Sequence, residues 1–115
     1  MKNIFRLSIA LLLLLFITPK AFSNTPEQLL GIALNFDKKE ITITVVSSGC
    51  TQKNDFEFIF KDGALTIGRK KKDACKALPS EISFTYSLTE AGIDPNKPFT
   101  ITNPFIANYF MAHSN

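Results

Sequence analysis

Apolar side chains recur at every second position in five separate segments of this chain, and that spacing leaves little room for any fold but a sheet. Ile41, Ile43 and Val45 alternate with Thr42 and Thr44, Phe56, Phe58 and Phe60 with Glu57 and Ile59, and Leu65 and Ile67 with Thr66 and Gly68. Further on, Ile82, Phe84, Tyr86 and Leu88 alternate with Ser83, Thr85 and Ser87, and Phe99 and Ile101 with Thr100 and Thr102. Successive side chains of an extended strand point to opposite faces, so each stretch carries one apolar and, in the main, one hydroxyl-bearing face. That pattern suits antiparallel sheets with one wet side. A first strand near residues 30–36, ahead of the turn at Asp37-Lys38-Lys39-Glu40, brings the number to six, and residues 106–111 offer a seventh.

Helical periodicity is absent. Thr25-Pro26-Glu27-Gln28 reads as an N-cap followed by proline at the first helical position, and Ser87-Leu88-Thr89-Glu90 before Gly92 reads similarly. Neither supports more than about one turn.

Lys61-Asp62-Gly63-Ala64 is a two-residue hairpin signal, because Asp and Gly tolerate the positive φ that a type I′ turn needs at both central positions. In that hairpin Lys61 pairs with Ala64 and Phe60 with Leu65. The same register carried outward sets Cys50 opposite Cys75, at a position where paired Cα atoms lie about 4.5 Å apart. A disulfide accommodates that separation. These are the two cysteines of the chain, so one intramolecular pairing exists. A Cys-x-x-Cys redox pair and a four-ligand zinc set are both absent from the sequence. The expected disulfide closes a loop of about 25 residues, worth roughly 3–4 kcal/mol on the chain-entropy account.

Residues 1–23 read as an address rather than as part of a fold. Lys2 and Arg6 make a basic start, an apolar run follows to Ile17, and Pro19 breaks it before Ala21-Phe22-Ser23. That is the layout of a secretory signal peptide cut after Ser23. The run is about 11 residues, short of the roughly 20 that span a bilayer as a helix. Export to an oxidising space, periplasmic or extracellular, is also where a disulfide persists. The remaining residues, 24–115, make one small domain.

Charge has to be read after that cut. The full chain has 13 Lys+Arg against 10 Asp+Glu, a net +3. Lys2, Arg6 and Lys20 leave with the leader and no acid does, so the rest is balanced at ten of each. Overall basicity therefore argues neither for nucleic acid nor for a membrane surface.

Catalytic types are scarce. His113 is the one histidine, near the C-terminal end of the sequence. Pairing the cysteines removes the thiolates, and no Gly-x-Ser-x-Gly turn presents a serine. Asp55, Glu57, Asp62 and Asp73 fall at turns or on the polar face, where solvated carboxylates are ordinary. Met111-x-His113 is too few ligands for a metal site. The expectation is a non-enzyme without cofactor or metal.

Two features invite a partner. Arg69-Lys70-Lys71-Lys72, with Lys76 just past Cys75, forms a basic cluster pinned beside the disulfide. It suits an anionic envelope component or an acidic protein better than nucleic acid, since no aromatic residues interleave there. Cys75-Lys76-Ala77-Leu78-Pro79 has the design of a rigid, disulfide-anchored binding loop. Asp94-Pro95-Asn96-Lys97-Pro98 and Asn103-Pro104-Phe105 are turn chemistry.

The sequence thus leads to an all-β domain of six or seven antiparallel strands, a small β-sandwich of immunoglobulin-like architecture, with a small β-barrel as the alternative. The likeness is architectural, because the buried tryptophan and inter-sheet disulfide of antibody domains are missing. The function expected is an exported, non-catalytic binding module. An inhibitor of a secreted hydrolase acting through residues 69–79, and a structural envelope component, stand as alternatives.

Overall fold

The computed structural model describes residues 25–107, so the leader at 1–23, all but the first two residues of the possible seventh strand at 106–111, Met111 and His113 lie outside the described residues. Six strands follow one another: β1 (Gly31–Asn35), β2 (Glu40–Ser47), β3 (Phe56–Lys61), β4 (Ala64–Arg69), β5 (Ser80–Ser87) and β6 (Thr100–Ile101). They fall at the five places the alternation marks and at the first strand expected near residues 30–36. One 3₁₀ turn, Lys53–Asp55, leads into β3.

The strands form two three-stranded sheets, one ordered β1-β2-β5 and the other β3-β4-β6. Both pairings in the first sheet are antiparallel, as is β3 with β4. β6, however, runs parallel to β4, pairing Thr100 with Ala64 and Ile101 with Leu65. That corrects the all-antiparallel expectation. The chain crosses from β5 in one sheet to β6 in the other through the long 88–99 connection, which permits a parallel arrival, whereas a tight hairpin would enforce antiparallel pairing.

The alternation is realised in packing. Ile41, Ile43 and Val45 from β2 are fully buried, with Leu65 and Ile67 from β4, and Phe56 and Tyr86 join them from β3 and β5. The two sheets therefore share one core. On the outer faces, Thr42 bonds Thr85 at 2.8 Å, Thr44 bonds Ser83 at 2.8 Å and Thr66 bonds Thr102 at 2.6 Å, so opposed hydroxyls satisfy one another.

Residues 25–28 are not the helical turn the sequence suggests. Pro26 bridges Gly68, and the Glu27 N–H donates to the Ile67 carbonyl at 2.8 Å. The segment is extended beside β4 and runs on into β1, where the Leu30 N–H reaches Thr44, so it ties one sheet to the other. Tertiary pairing outweighs a local cap signal here. On the opposite side β3 meets β5 through rings, Phe56 against Phe84 at 5.7 Å and Phe58 against Tyr86 at 4.7 Å. Among the described residues no ladder joins those two strands, so the sheets do not close into a barrel.

Two of the turns read from sequence are well defined. Asp62 and Gly63 have φ of 53° and 75°, the type I′ signature. After β5, the Gly92 N–H bonds Thr89 and the Ile93 N–H bonds Leu88, with Gly92 at φ 68°. That is a Schellman motif closing a single turn, with Leu88 and Ile93 both buried beneath it.

Candidate functional site

The hairpin register holds from Lys61↔Ala64 out to Phe56↔Arg69, and the Lys70 N–H still reaches the Asp55 carbonyl. Beyond that the ladder stops. The 3₁₀ turn takes one strand away from its partner, and Cys50 and Cys75 meet in the loops instead. They form a disulfide, with Cα atoms 5.7 Å apart and a sequence separation of 25. The pairing is the one the hairpin register, carried outward, gives; the strand continuity that extension assumes is not there.

Asp73 explains why the loops meet. Its Oδ2 accepts from the Thr51 hydroxyl at 2.6 Å, the Ser48 N–H at 2.8 Å and the Cys50 N–H at 3.1 Å, while Oδ1 accepts from the Cys75 N–H at 3.0 Å. The Ser47 hydroxyl stands 3.4 Å from Oδ2. The Thr51 hydroxyl bond and then the three backbone N–H groups hold this carboxyl far below its ordinary value of 3.8, although partial burial works the other way. Sequence reading puts Asp73 among the solvated carboxylates. Its donors, apart from Cys75, lie more than twenty residues upstream, and nothing local announces them.

Arg69 is placed otherwise than its neighbours in the basic cluster. Its guanidinium makes a bidentate pair with Glu27, at 2.9 and 2.8 Å, and donates to the Thr51 hydroxyl at 3.0 Å and the Val46 carbonyl at 2.9 Å. It also lies over the Phe56 ring, 5.0 Å from its centroid. Arg69 thus joins three segments to the end of β4 rather than facing solvent with the lysines. Thr51 accepts from Arg69 and donates to Asp73, which couples the ion pair to the clasp.

Lys70, Lys71, Lys72 and Lys76 are exposed. Along residues 73–77, fastening alternates: Asp73 by its carboxylate, Cys75 by the disulfide, and Ala77 by its N–H on the Ser48 carbonyl at 3.0 Å. Lys76 and Leu78 fall between or beside these anchors and stand outward. Leu78, 89% exposed, is the most exposed large apolar side chain among the described residues. Gly49, at φ 110°, lies directly beneath, and a Cβ built there would come within 3.1 Å of the Ala77 Cβ.

A cleft of about 730 Å³ opens beside this loop, between β3 and β5. Phe56, Phe58 and Tyr86 supply its apolar lining, and Lys53, Lys70, Glu57 and Glu90 its charges, two of each sign. The Tyr86 hydroxyl donates to the Lys53 carbonyl, and the Lys53 ammonium sits 5.0 Å from the ring centre. Burial, and then the charges of Glu90 and Asp55, push the Tyr86 hydroxyl up to about 12.

Asp55 and Asp62 have structural places, while Glu57 lines the cleft. Asp55 is buried and accepts from the Gln52 N–H at 2.8 Å, and Asp62 occupies the hairpin turn. No protein-family model, no curated protein and no solved structure matches this chain, so the arrangement stands on its own residues.

Proposed function

We propose that this chain is an exported, non-catalytic binding module that meets a partner through the fastened loop after β4. The observation that carries the reading is Leu78, left almost fully exposed on a segment whose neighbours are anchored by a disulfide, a carboxylate clasp and a backbone hydrogen bond. A loop ordered before binding loses little further entropy when it docks, so an exposed side chain on it is a ready anchor. The lysines beside it, Lys70, Lys71, Lys72 and Lys76, favour an acidic partner surface, and their attraction adds mainly to encounter rate and specificity. The leader-like residues 1–23 and the disulfide support an exported setting. The shared core beneath two small sheets supports a β-sandwich of immunoglobulin-like architecture.

A second reading, inhibition of a secreted hydrolase, draws on the outward Lys76 between the fastened Cys75 and Ala77. Capture of partners from cell envelope and culture medium with the oxidised protein tests both. Leu78→Ser is expected to abolish capture, while Lys70→Ser, Lys71→Ser and Lys72→Ser together weaken it and remove its salt dependence. If a hydrolase is captured, Lys76→Ser should matter most. Capture indifferent to all of these changes would overturn the reading.

A further inference from the structure

The outer edge of β3 has the pattern of a strand built to pair with itself. Lys61↔Ala64 is the hydrogen-bonded pair next to the turn, and such pairs alternate along an antiparallel ladder. Residues 57 and 59 therefore direct their main-chain groups at β4, as Asp55 does in accepting from the Lys70 N–H. Phe56, Phe58 and Phe60 direct theirs at the open side. β3 is an edge strand, and among the described residues no other strand pairs with that side. Edges of this kind are normally blunted by proline, a bulge, brevity or charge of one sign, whereas the two charges of β3, Glu57 and Lys61, are opposite and can answer one another across a two-fold pairing. β3 has six residues, no proline and three phenylalanines, and Phe60 remains 36% exposed.

We infer that a second copy of this chain occupies that edge, antiparallel and centred on Ile59. In this register the outer face sets Ile59 against Ile59 of the second copy, and flanks it on both sides with Glu57 opposite Lys61 of the other copy. Unlike charges directly across two strands stabilise the pair, and like charges destabilise it. On the inner face Phe58 comes opposite Phe60 of the second copy, which covers the exposed ring. The second copy's hairpin tip, carrying Asp62 beside Lys61, then arrives at the cleft beside β3, whose lining carries charges of both signs, Lys53 and Lys70 with Glu57 and Glu90. A two-fold pairing uses the same residues twice, so these complementarities all recur symmetrically. The product is a continuous six-stranded sheet. Its two loops bearing Leu78 lie at opposite ends, a geometry for two partners at once.

The test is the mass in solution of the oxidised protein lacking residues 1–23, by light scattering across micromolar concentrations. A dimer is expected for the unaltered chain. Lys61→Glu sets carboxylate against carboxylate at each flanking pair, and Glu57→Lys sets ammonium against ammonium there. Each change alone is expected to make the dimer dissociate at least roughly tenfold more readily. Mixing the two variants restores every opposite-charge pair and should give a heterodimer. Ile59→Lys, placing two ammonium groups face to face, should be monomeric. Circular dichroism and blocked thiols establish that each variant is folded. A chain monomeric throughout the range, or a dimer that neither single charge variant weakens and that mixing does not restore, would overturn the proposal.

Discussion

Replacing Arg69 with methionine removes a side chain that joins three segments to the end of β4, while keeping an unbranched apolar stem. Four hydrogen bonds go with the guanidinium, two to Glu27, one to Thr51 and one to the Val46 carbonyl. The side chains of Arg69 and Glu27 are only 15% and 14% exposed, so the abandoned carboxylate is poorly hydrated. Removing one member of a buried pair typically costs about 3–5 kcal/mol, because a charge is stranded. Some water reaches this pair, which favours the lower end, about 3 kcal/mol. A domain this small has about 5–8 kcal/mol in total, so roughly half its stability is at stake. With an m-value near 1 kcal/mol/M, the urea midpoint should fall by about 3 M, read by far-UV circular dichroism. Glu27→Gln should cost less, and the double variant less than the sum, leaving a coupling of about 2 kcal/mol. Should Arg69→Met cost under about 1 kcal/mol, the guanidinium would behave as an ordinary surface group and the argument from stranded charge would fail.

Three other perturbations have clear expected outcomes. Reduction, or Cys50→Ser, should cost about 2–4 kcal/mol, and a thiol reagent should label neither cysteine of the denatured protein until reductant is added. Because the Asp73 carboxyl is depressed in the fold, its contribution is complete above its ordinary value of 3.8 and is lost as pH falls below it. Asp73→Asn should therefore be less stable at neutral pH yet show a flatter acid limb; an unchanged limb would mean that the clasp does not depend on charge. Tyr86 shifts the other way: the unfolded phenol ionises near 10 and the folded one near 12, so stability should decline between those pH values. Tyr86→Phe should remove that decline in alkaline unfolding curves, even though it also deletes the bond to the Lys53 carbonyl.

The strands were legible because period two is a property of each segment by itself. Positive φ at Asp62 and Gly63 is equally local, and it fixes the register from Lys61↔Ala64 to Phe56↔Arg69. What escapes the sequence is set across long separations. Pro26 looks like the start of a helix until Gly68 and Ile67 offer it an edge to pair with. Arg69 reads as one cation in a run of four, and only the position of Glu27 draws it inward. Asp73 resembles any loop acid, yet its donors on Ser48, Cys50 and Thr51 arrive only when β2 and β4 are already docked. The lysines and Leu78 were visible as a candidate surface; the device that stiffens them was not.

Asn103 has a consequence for chemical durability. Its buried amide behaves as a substitute peptide unit, accepting from the Ile67 N–H at 2.8 Å and donating to the Ile67 and Glu27 carbonyls at 2.7 and 2.8 Å. Hydrolysis of that amide to a carboxylate would turn a two-hydrogen donor into an acceptor facing two carbonyl oxygens, and would strand a charge in the seam between the 26–27 segment and β4. Spontaneous deamidation usually begins when the next residue's backbone nitrogen attacks the side-chain amide. Pro104 follows directly, and its nitrogen carries no hydrogen with which to complete that ring closure. The turn that ends β6 thereby protects, against ageing, a buried side chain that helps to hold the joint between the two segments.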